Sequence, residues 1–389
     1  MRNMVDSQEE AEMFSTRLDG IEKSGIRKIF GMADKNSIHL GIGEPDFNPP
    51  EHIAVALKEA VDAGYNKYSP ILGLPELREA IVERIKRYKK DITVDNVMVT
   101  MGASSGLALS SMALYEPGDE VMVPDPGFVF YIPHAKIYKA KPVCYPMKKE
   151  HGYVPQPDDI NELVTDKTKA IIMNSPSNPC GSALGKEEVR AITEICKDHN
   201  IVIISDEVYD EVIYEGEHHS FLGDYENVIH LNSFSKTFAM TGWRIGYMVS
   251  SPDIIEHISR LQYYAIACPS TPLEHAVLAG LKGPQGFIKD MVAAFKRRRN
   301  VITALLNSID GFDCLLPKGA FYVFPSFDFK ISDTDLALHL LKAGVVSTYG
   351  SAFGKRGEGH IRFSYANSTE NIEKGMDIVK DAVSSLERN

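Results

Sequence analysis

The stretch Asn232-Ser233-Phe234-Ser235-Lys236-Thr237-Phe238 sets a lysine among small, hydroxylated and aromatic residues, just after the apolar run Val228-Ile229-His230-Leu231. A lysine partly desolvated at a strand end loses some of its preference for the charged form, and the neutral amine is a nucleophile or Schiff-base former. Ser233 and Ser235 add two hydroxyl donors, and Arg244, eight residues after the lysine, adds a forked cation suited to a phosphate. Gly102-Ala103-Ser104 opens a helical pattern after another apolar run, so its free backbone N–H groups and the helix dipole favour the same anion. Asp206 closes a third run, where a buried carboxylate needs a partner such as a protonated ring nitrogen. Tyr209 and Asn178 are partners for a ring oxygen, and Phe128 offers a face for stacking.

A phosphate, a protonated pyridine, a phenolic oxygen and an aldehyde together describe pyridoxal phosphate (PLP). The elements that must gather these groups are visible in outline. Strand-like runs occur at Val97–Thr100, Glu120–Val123, Ala170–Met173, Ile201–Ile204, Val228–Leu231 and Gly246–Val249. Helical patterns lie between several of them, such as Lys186–His199 with Val189, Ile192, Ile195 and Cys196 on one face. Continuous apolar strands joined through helices predict an α/β fold with a mostly parallel sheet covered on both faces. Ligands of such sheets bind beyond the carboxyl ends of the strands. Five polar loops begin there, at Met101, Asp125, Asn174, Asp206 and Asn232, and they predict a single site. Past about residue 280 the pattern changes. A long helix (Phe287–Ser308) precedes strands near Ala320–Phe324, Val345–Ser347 and His360–Ser364, which predicts a smaller α/β domain. The expected division is an arm over 1–45 joining the small domain, a large domain over 46–285 and the small domain over 286–389.

A chain of 389 residues exceeds one simple core, and 44% apolar with 24% charged residues is ordinary globular composition. A net charge of -11 argues against nucleic acid as a partner. The basic runs Lys86–Lys90 and Lys296–Arg299 have helical apolar spacing and are expected to be solvated helix faces. Five scattered cysteines lack metal-ligand spacing, which predicts a reduced thiol set and no metal site, and His218-His219 is expected to be a loop pair. The polar start MRNMVDSQEE and the absence of an apolar run near ~18 residues predict a cytoplasmic protein with no membrane contact.

Several motifs carry a family resemblance in order along the chain: Leu40-Gly41-Ile42-Gly43-Glu44-Pro45-Asp46-Phe47, Tyr68 through Gly73 to Leu77-Arg78-Glu79, Asn174-Ser175-Pro176-Ser177-Asn178-Pro179, Ser205-Asp206-Glu207-Val208-Tyr209, Ser233-Phe234-Ser235-Lys236 with Gly242-Trp243-Arg244-Ile245-Gly246, and Ile361-Arg362-Phe363-Ser364. Over nearly its whole length the chain resembles the class I/II aminotransferases of PLP fold type I, with a look of the archaeal aromatic and aspartate enzymes. The resemblance implies a large domain with a seven-stranded type of sheet. It implies that Lys236 holds PLP as an imine and later carries the proton between Cα and C4′. Asp206 would pair with the ring nitrogen, Tyr209 and Asn178 with the phenolic oxygen, and Phe128 would stack on the ring. Ala103, Ser104, Ser233, Ser235 and Arg244 would hold the phosphate. Arg362 would grip the substrate carboxylate, helped by Asn178 and the Gly43 backbone. Tyr68 would reach the phosphate of a neighbouring subunit, implying a homodimer. Trp243 is left to packing.

The implied reaction is ping-pong exchange of an amino group between an L-amino acid and a 2-oxo acid such as 2-oxoglutarate. The loop Gly102-Ala103-Ser104-Ser105 lacks the lysine that some dicarboxylate-specific relatives carry. Phe30, Ile42, Phe128 and Tyr131 predict an apolar or aromatic pocket, so aromatic or broad specificity is expected, with aspartate as the alternative. A PLP lyase or synthase of the same fold would keep Lys236 and Asp206. A regulatory PLP-binding module would need a DNA-binding segment, for which a pattern starting by about residue 38 leaves no room. Three departures from the family pattern stand out: Cys180 in Asn178-Pro179-Cys180-Gly181, expected to affect packing only, Tyr349 where the family has proline before Gly350-Ser351-Ala352-Phe353-Gly354, and a stacking aromatic without a hydroxyl.

Overall fold

Strands that are apolar on both faces must be covered on both, and the computed structural model, which describes residues 14–21, 29–223 and 225–388, shows how this chain does it. A short strand, β1 (Ile38–His39), precedes the main sheet. That sheet comprises β2 (Val97–Thr100), β3 (Glu120–Asp125), β4 (Lys141–Pro146), β5 (Thr168–Asn174), β6 (Val202–Asp206), β7 (Val228–Ser233) and β8 (Gly246–Val249), in the order β2-β8-β7-β6-β5-β3-β4. β4, β3, β5, β6 and β7 pair in parallel, while β8 runs antiparallel to both neighbours. β2, β3, β7 and β8 are buried along their whole length. One face is covered by a core containing Leu77, Ile81, Ile192 and Phe234, the other by a core containing Leu107, Tyr131, Ile255 and Ile258.

The six strands read from apolar runs are all present. The seventh, β4, escapes that reading because it is an edge strand, Lys141-Pro142-Val143-Cys144-Tyr145-Pro146, with two prolines and only Tyr145 buried. The crossover helix Lys186–Asp198 buries Ile192 and Cys196, and the long C-terminal helix runs Gly286–Asn307, within a residue of its expected bounds.

A further core gathers residues from the two ends of the chain. β1 pairs in parallel with β12 (Val345–Val346), which follows β9 (Phe312–Asp313), β10 (Tyr322–Val323) and β11 (Ser326–Phe327). β13 (Thr348–Tyr349) and β14 (Ile361–Ser364) complete an antiparallel sheet with β10 in the order β10-β14-β13. Ile29 and Leu40 share this core with Phe295, Leu336, Phe363 and Val379. Residues 1–13 and 22–28 of the expected N-terminal arm lie outside the described residues.

The basic runs are only in part the solvated helix faces expected of them: Lys296 and Arg297 stand exposed on the helix Gly286–Asn307, but other members of both runs are committed to carboxylates. The helix Pro75–Ile85 ends before the first run, and Arg87 turns back to pair with Asp210 at 2.6 Å and Glu211 at 2.6 Å. In the second run Arg299 is buried, donating to the Pro317 carbonyl at 2.9 Å and to Glu215 at 2.8 Å with its guanidinium 4.8 Å above the Tyr214 ring. Arg298 makes a forked pair with Asp46 at 2.7 and 2.8 Å. Charge spacing does not distinguish an arginine facing water from one reaching a distant carboxylate.

Asp210 lies four residues beyond Asp206 on the loop that leaves β6. Its buried carboxylate meets Arg84 at 3.4 Å, Arg87 at 2.6 Å and the Tyr88 hydroxyl at 3.3 Å. Burial alone would raise its pKa, but the two arginines hold it below the ordinary aspartate value. Removing one partner of a buried pair strands the other charge. Asp210→Ala is therefore expected to destabilise the protein by about 3 kcal/mol in urea unfolding. Because the folded-state pKa is depressed, the stabilisation from Asp210 is complete above pH ~4 and is lost as pH falls through the lowered value. The gap between wild type and Asp210→Ala should narrow over that interval.

Candidate active site

All five polar loops open onto one cavity of about 460 Å³ at the carboxyl ends of the parallel strands. Ala103, Ser104, Phe128, Asn178, Asp206, Tyr209, Ser233, Ser235, Lys236 and Arg244 line it, as do Gly43 and Arg362 from outside the large sheet. Tyr68 does not. It stands 88% exposed on a loop elsewhere on the surface.

Lys236 sits in the single helical turn Phe234–Thr237 that follows β7 and is capped by Ser233. Its Nζ donates to the Gly43 carbonyl at 2.6 Å. That approach requires glycine, since a Cβ on Gly43 would collide with the Tyr322 hydroxyl. Burial lowers the amine's pKa to about 8; Glu44 and Asp206 pull it up, while Arg244 and Arg362 press it down. The lysine is thus partly neutral in mildly alkaline water.

One end of the cavity is built for an anion. Gly102 (φ +78) precedes the helix Ala103–Leu114, and a Cβ there would stand 2.9 Å from Arg244 Nη2. The first N–H groups of that helix have no intrahelical acceptor. Ser233 Oγ donates to Ser235 Oγ at 2.8 Å, and Arg244, in the left-handed region (φ +57), donates to the Thr241 carbonyl at 3.0 Å. Gly246 abuts Gly102, so β8 sets the height of this loop.

Asp206 lies at the end of β6. Its Oδ2 accepts from the Tyr131 hydroxyl at 2.7 Å, and its buried Oδ1 has no hydrogen bond of normal geometry, although the Val208 amide is near enough to favour its charge. Burial pushes the carboxyl up to about 6 against those two donors. Asn174 ties the region together, donating to the Asp206 backbone carbonyl at 2.9 Å and accepting from the Asn178 amide at 2.8 Å.

Arg362 enters from β14. It donates to Asn178 Oδ1 at 2.9 Å, to the Gly41 carbonyl and to Thr348 Oγ1 at 3.4 Å, while its buried Nε has no partner. Its guanidinium lies between the rings of Tyr322 (4.5 Å) and Phe353 (4.8 Å), a planar cation locked by two faces.

Several lining residues carried no assigned role in the sequence reading. Tyr322 exchanges a 2.8 Å hydrogen bond with Tyr209, Phe353 covers Arg362, and Glu44 faces the lysine. Tyr131, read as pocket wall, also binds Asp206. A tyrosine inside an apolar strand looks like core, and only the pairing of β10 with β14 brings Tyr322 beside Arg362. Of the departures from the family pattern, Cys180 is buried in the large core, and Tyr349 packs on the small one without lining the cavity. Trp243 packs partly buried against the large core. His218 of the expected loop pair is hydrogen-bonded to buried Glu207 at 2.6 Å. Among the described residues no group of three or more His, Cys, Asp or Glu could hold a metal ion, and no helix is long and apolar enough to cross a membrane.

Comparison with known proteins agrees with this chemistry. The family model "Aminotransferase class I and II" matches residues 35–379. The probable aspartate aminotransferase of Methanocaldococcus jannaschii is 42% identical over 95% of this chain and 99% of its own length. Aromatic-amino-acid aminotransferase 2 of Thermococcus litoralis is 38% identical over 93% of this chain and 96% of its own. The crystal structure of the Rhizobium meliloti aspartate aminotransferase superposes with a TM-score of 0.91 at 33% identity, covering 96% of this chain and 99% of that one. The chain belongs to the class I and II aminotransferases, enzymes of PLP fold type I that use pyridoxal phosphate to move amino groups between amino acids and 2-oxo acids.

Proposed function

We propose that Lys236 anchors the cofactor in this cavity, and that the enzyme takes aromatic amino acids, within a broad range, as donors. The residues fit the group. The orphaned Asp206 Oδ1 suits a protonated ring nitrogen, the Ala103–Ser104 helix start with Ser233, Ser235 and Arg244 suits a phosphate, and the Tyr209 hydroxyl and Asn178 suit the phenolic oxygen. The observation that carries the reading is the meeting of a neutralisable amine, a buried carboxylate and a ring-clamped arginine in one cavity. When bound, PLP supplies the aldehyde that accepts the amino group and the ring that takes up the electrons released at Cα.

The chain's residues do the rest. Lys236 Nζ, with its lowered pKa, takes a proton from Cα and returns one across the cavity. Asp206 keeps a negative charge opposite the ring nitrogen. Arg362, whose pKa burial lowers somewhat but which remains a cation, binds the substrate carboxylate as a fork, with the Asn178 amide beside it. Phe30, Ile42, Phe128 and Phe353 limit water in the cavity. Arg362 and Phe353 arrive from the segment that contains the short strands, and closure of that segment over substrate would complete the site.

We assign residues 1–45 and 286–389 to a small domain and 46–285 to the large one, supported by the β1–β12 pairing and the shared core. A homodimer in which Tyr68 reaches the neighbouring subunit's phosphate is supported by the loop that presents it. Thr271 Oγ1 holds the Lys67 carbonyl at 2.6 Å, and buried Glu274 accepts from Leu74 N at 2.6 Å and from Ser69, so an outward-facing tyrosine stands on a fixed loop. Five free cysteines support a reducing cytoplasmic setting.

Among the described residues the cations lining the cavity are Lys236, Arg244 and Arg362, each already given a partner, which leaves Phe30 and Ile42 for the side chain. Aspartate is the competing donor, favoured by the name of the M. jannaschii relative.

Mixing the PLP-loaded enzyme with single amino acids and following loss of the long-wavelength absorbance should show phenylalanine and tyrosine reacting at least as efficiently as aspartate. A tenfold advantage for aspartate would reverse the donor assignment. Lys236→Ala should abolish transamination with every donor; retained turnover would sink the assignment of the lysine. Arg362→Lys keeps the charge but loses the fork, and is expected to raise KM for the amino acid by roughly 10- to 100-fold with a smaller change in kcat.

A further inference from the structure

The two oxygens of Asp206 are in unlike surroundings, and the difference comes from a residue two strand positions away. Tyr131 begins the helix Tyr131–Ile137 just after β3, while Asp206 ends β6, and β5 lies between those strands. The Tyr131 hydroxyl passes over the end of β5 to donate to Asp206 Oδ2 at 2.7 Å. Its ring is fully buried and stands edge-on to Phe128 at 5.7 Å, and its amide donates to the Phe128 carbonyl at 3.1 Å. The tyrosine is therefore fixed by the same loop that carries the stacking aromatic.

We propose that Tyr131 is a positioning residue of the amino-transfer reaction: its hydroxyl occupies one oxygen of Asp206, so that the other alone is presented to the ring nitrogen of the cofactor. This rests on the pairing of Asp206 with that nitrogen. An ionised carboxylate can only accept, so the phenol must donate. Burial and the neighbouring Asp206 charge push the phenol's pKa well above its usual value, so it stays a donor throughout the working range. A carboxylate with both oxygens free has two equivalent faces and no fixed plane, whereas one tied at Oδ2 has a single open lone-pair side at Oδ1. The bond also opposes the effect of burial on the carboxyl, helping it to remain ionised. A tyrosine that only filled space would need neither the hydroxyl nor a carboxylate opposite it.

The test is a double-mutant cycle on the apoprotein, with PLP itself as the probe. The chain's single tryptophan, Trp243, adjoins Arg244 and reports binding by its fluorescence. Tyr131→Phe, Asp206→Asn and the double variant are titrated beside wild type. Tyr131→Phe should weaken PLP binding about tenfold, the lower end for a hydrogen bond to a charged group. Asp206→Asn should weaken it more. Adding Tyr131→Phe to Asp206→Asn should then change affinity less than twofold, because the hydroxyl acts through the carboxylate. In the loaded enzyme the pH midpoint of the long-wavelength band should move in Tyr131→Phe, which lost packing alone would not cause. An equal loss with and without the Asp206 carboxylate, or wild-type affinity in Tyr131→Phe, overturns the proposal. Wild-type affinity and absorbance in Asp206→Asn would instead remove the pairing on which it rests.

Discussion

A carboxylate buried at a strand end and pushed up to about 6 is unfavourable to hold unless something in the cavity needs its charge. Much of the site can be read as a response to Asp206. Tyr131 binds one oxygen, Asn174 fixes the backbone beneath it, and four residues on, Asp210 anchors the same loop through Arg84 and Arg87. Lys236 feels both signs: burial, Arg244 and Arg362 disfavour its proton while Glu44 and Asp206 favour it, and the balance of about 8 suits the proton exchange proposed for this amine.

That electrostatic balance depends on the distance between two cores. The large sheet delivers the lysine, the aspartate and the anion cradle from strand ends that share one edge. The core joining the chain's two ends delivers Arg362, Tyr322 and Phe353. The halves are stitched beside the cavity: the Gly127 amide donates to the Phe353 carbonyl at 2.8 Å, and the buried Asp125 carboxylate accepts from the Arg356 amide at 3.0 Å. Both bonds grip the segment that presses Phe353 onto Arg362. A shift of this segment would therefore move Arg362 and, through its charge, alter the proton balance of Lys236.

What could be read from the sequence follows physical locality. A fully buried parallel strand and the loop after it are contiguous, so six strands, five polar loops and the residues Lys236, Asp206 and Arg244 were visible as patterns. Relations set by strand order were not. No run of residues says that β8 reverses between two parallel neighbours, that the proline-bearing edge strand β4 pairs with β3, or that Tyr131 reaches across β5 to Asp206. Arg299 shows the same limit for charge, since its spacing reads as surface while its partners lie at Glu215 and Pro317. Long-range pairing converts apparent surface and apparent core into parts of a site.

The same reasoning bears on donor choice. In the proposed assignment each negative group, phosphate and α-carboxylate, would have its own arginine, and the amine would serve the aldehyde. A second carboxylate on the substrate would enter a wall of Phe30 and Ile42 with Glu44 close by, so its desolvation would go uncompensated by any described cation of this chain. A planar aromatic side chain meets no such penalty and gains buried apolar area instead. If this enzyme nevertheless prefers aspartate, the cation has to come from beyond the described residues, and one supplied by a neighbouring subunit would make donor specificity a property of the assembly rather than of the chain.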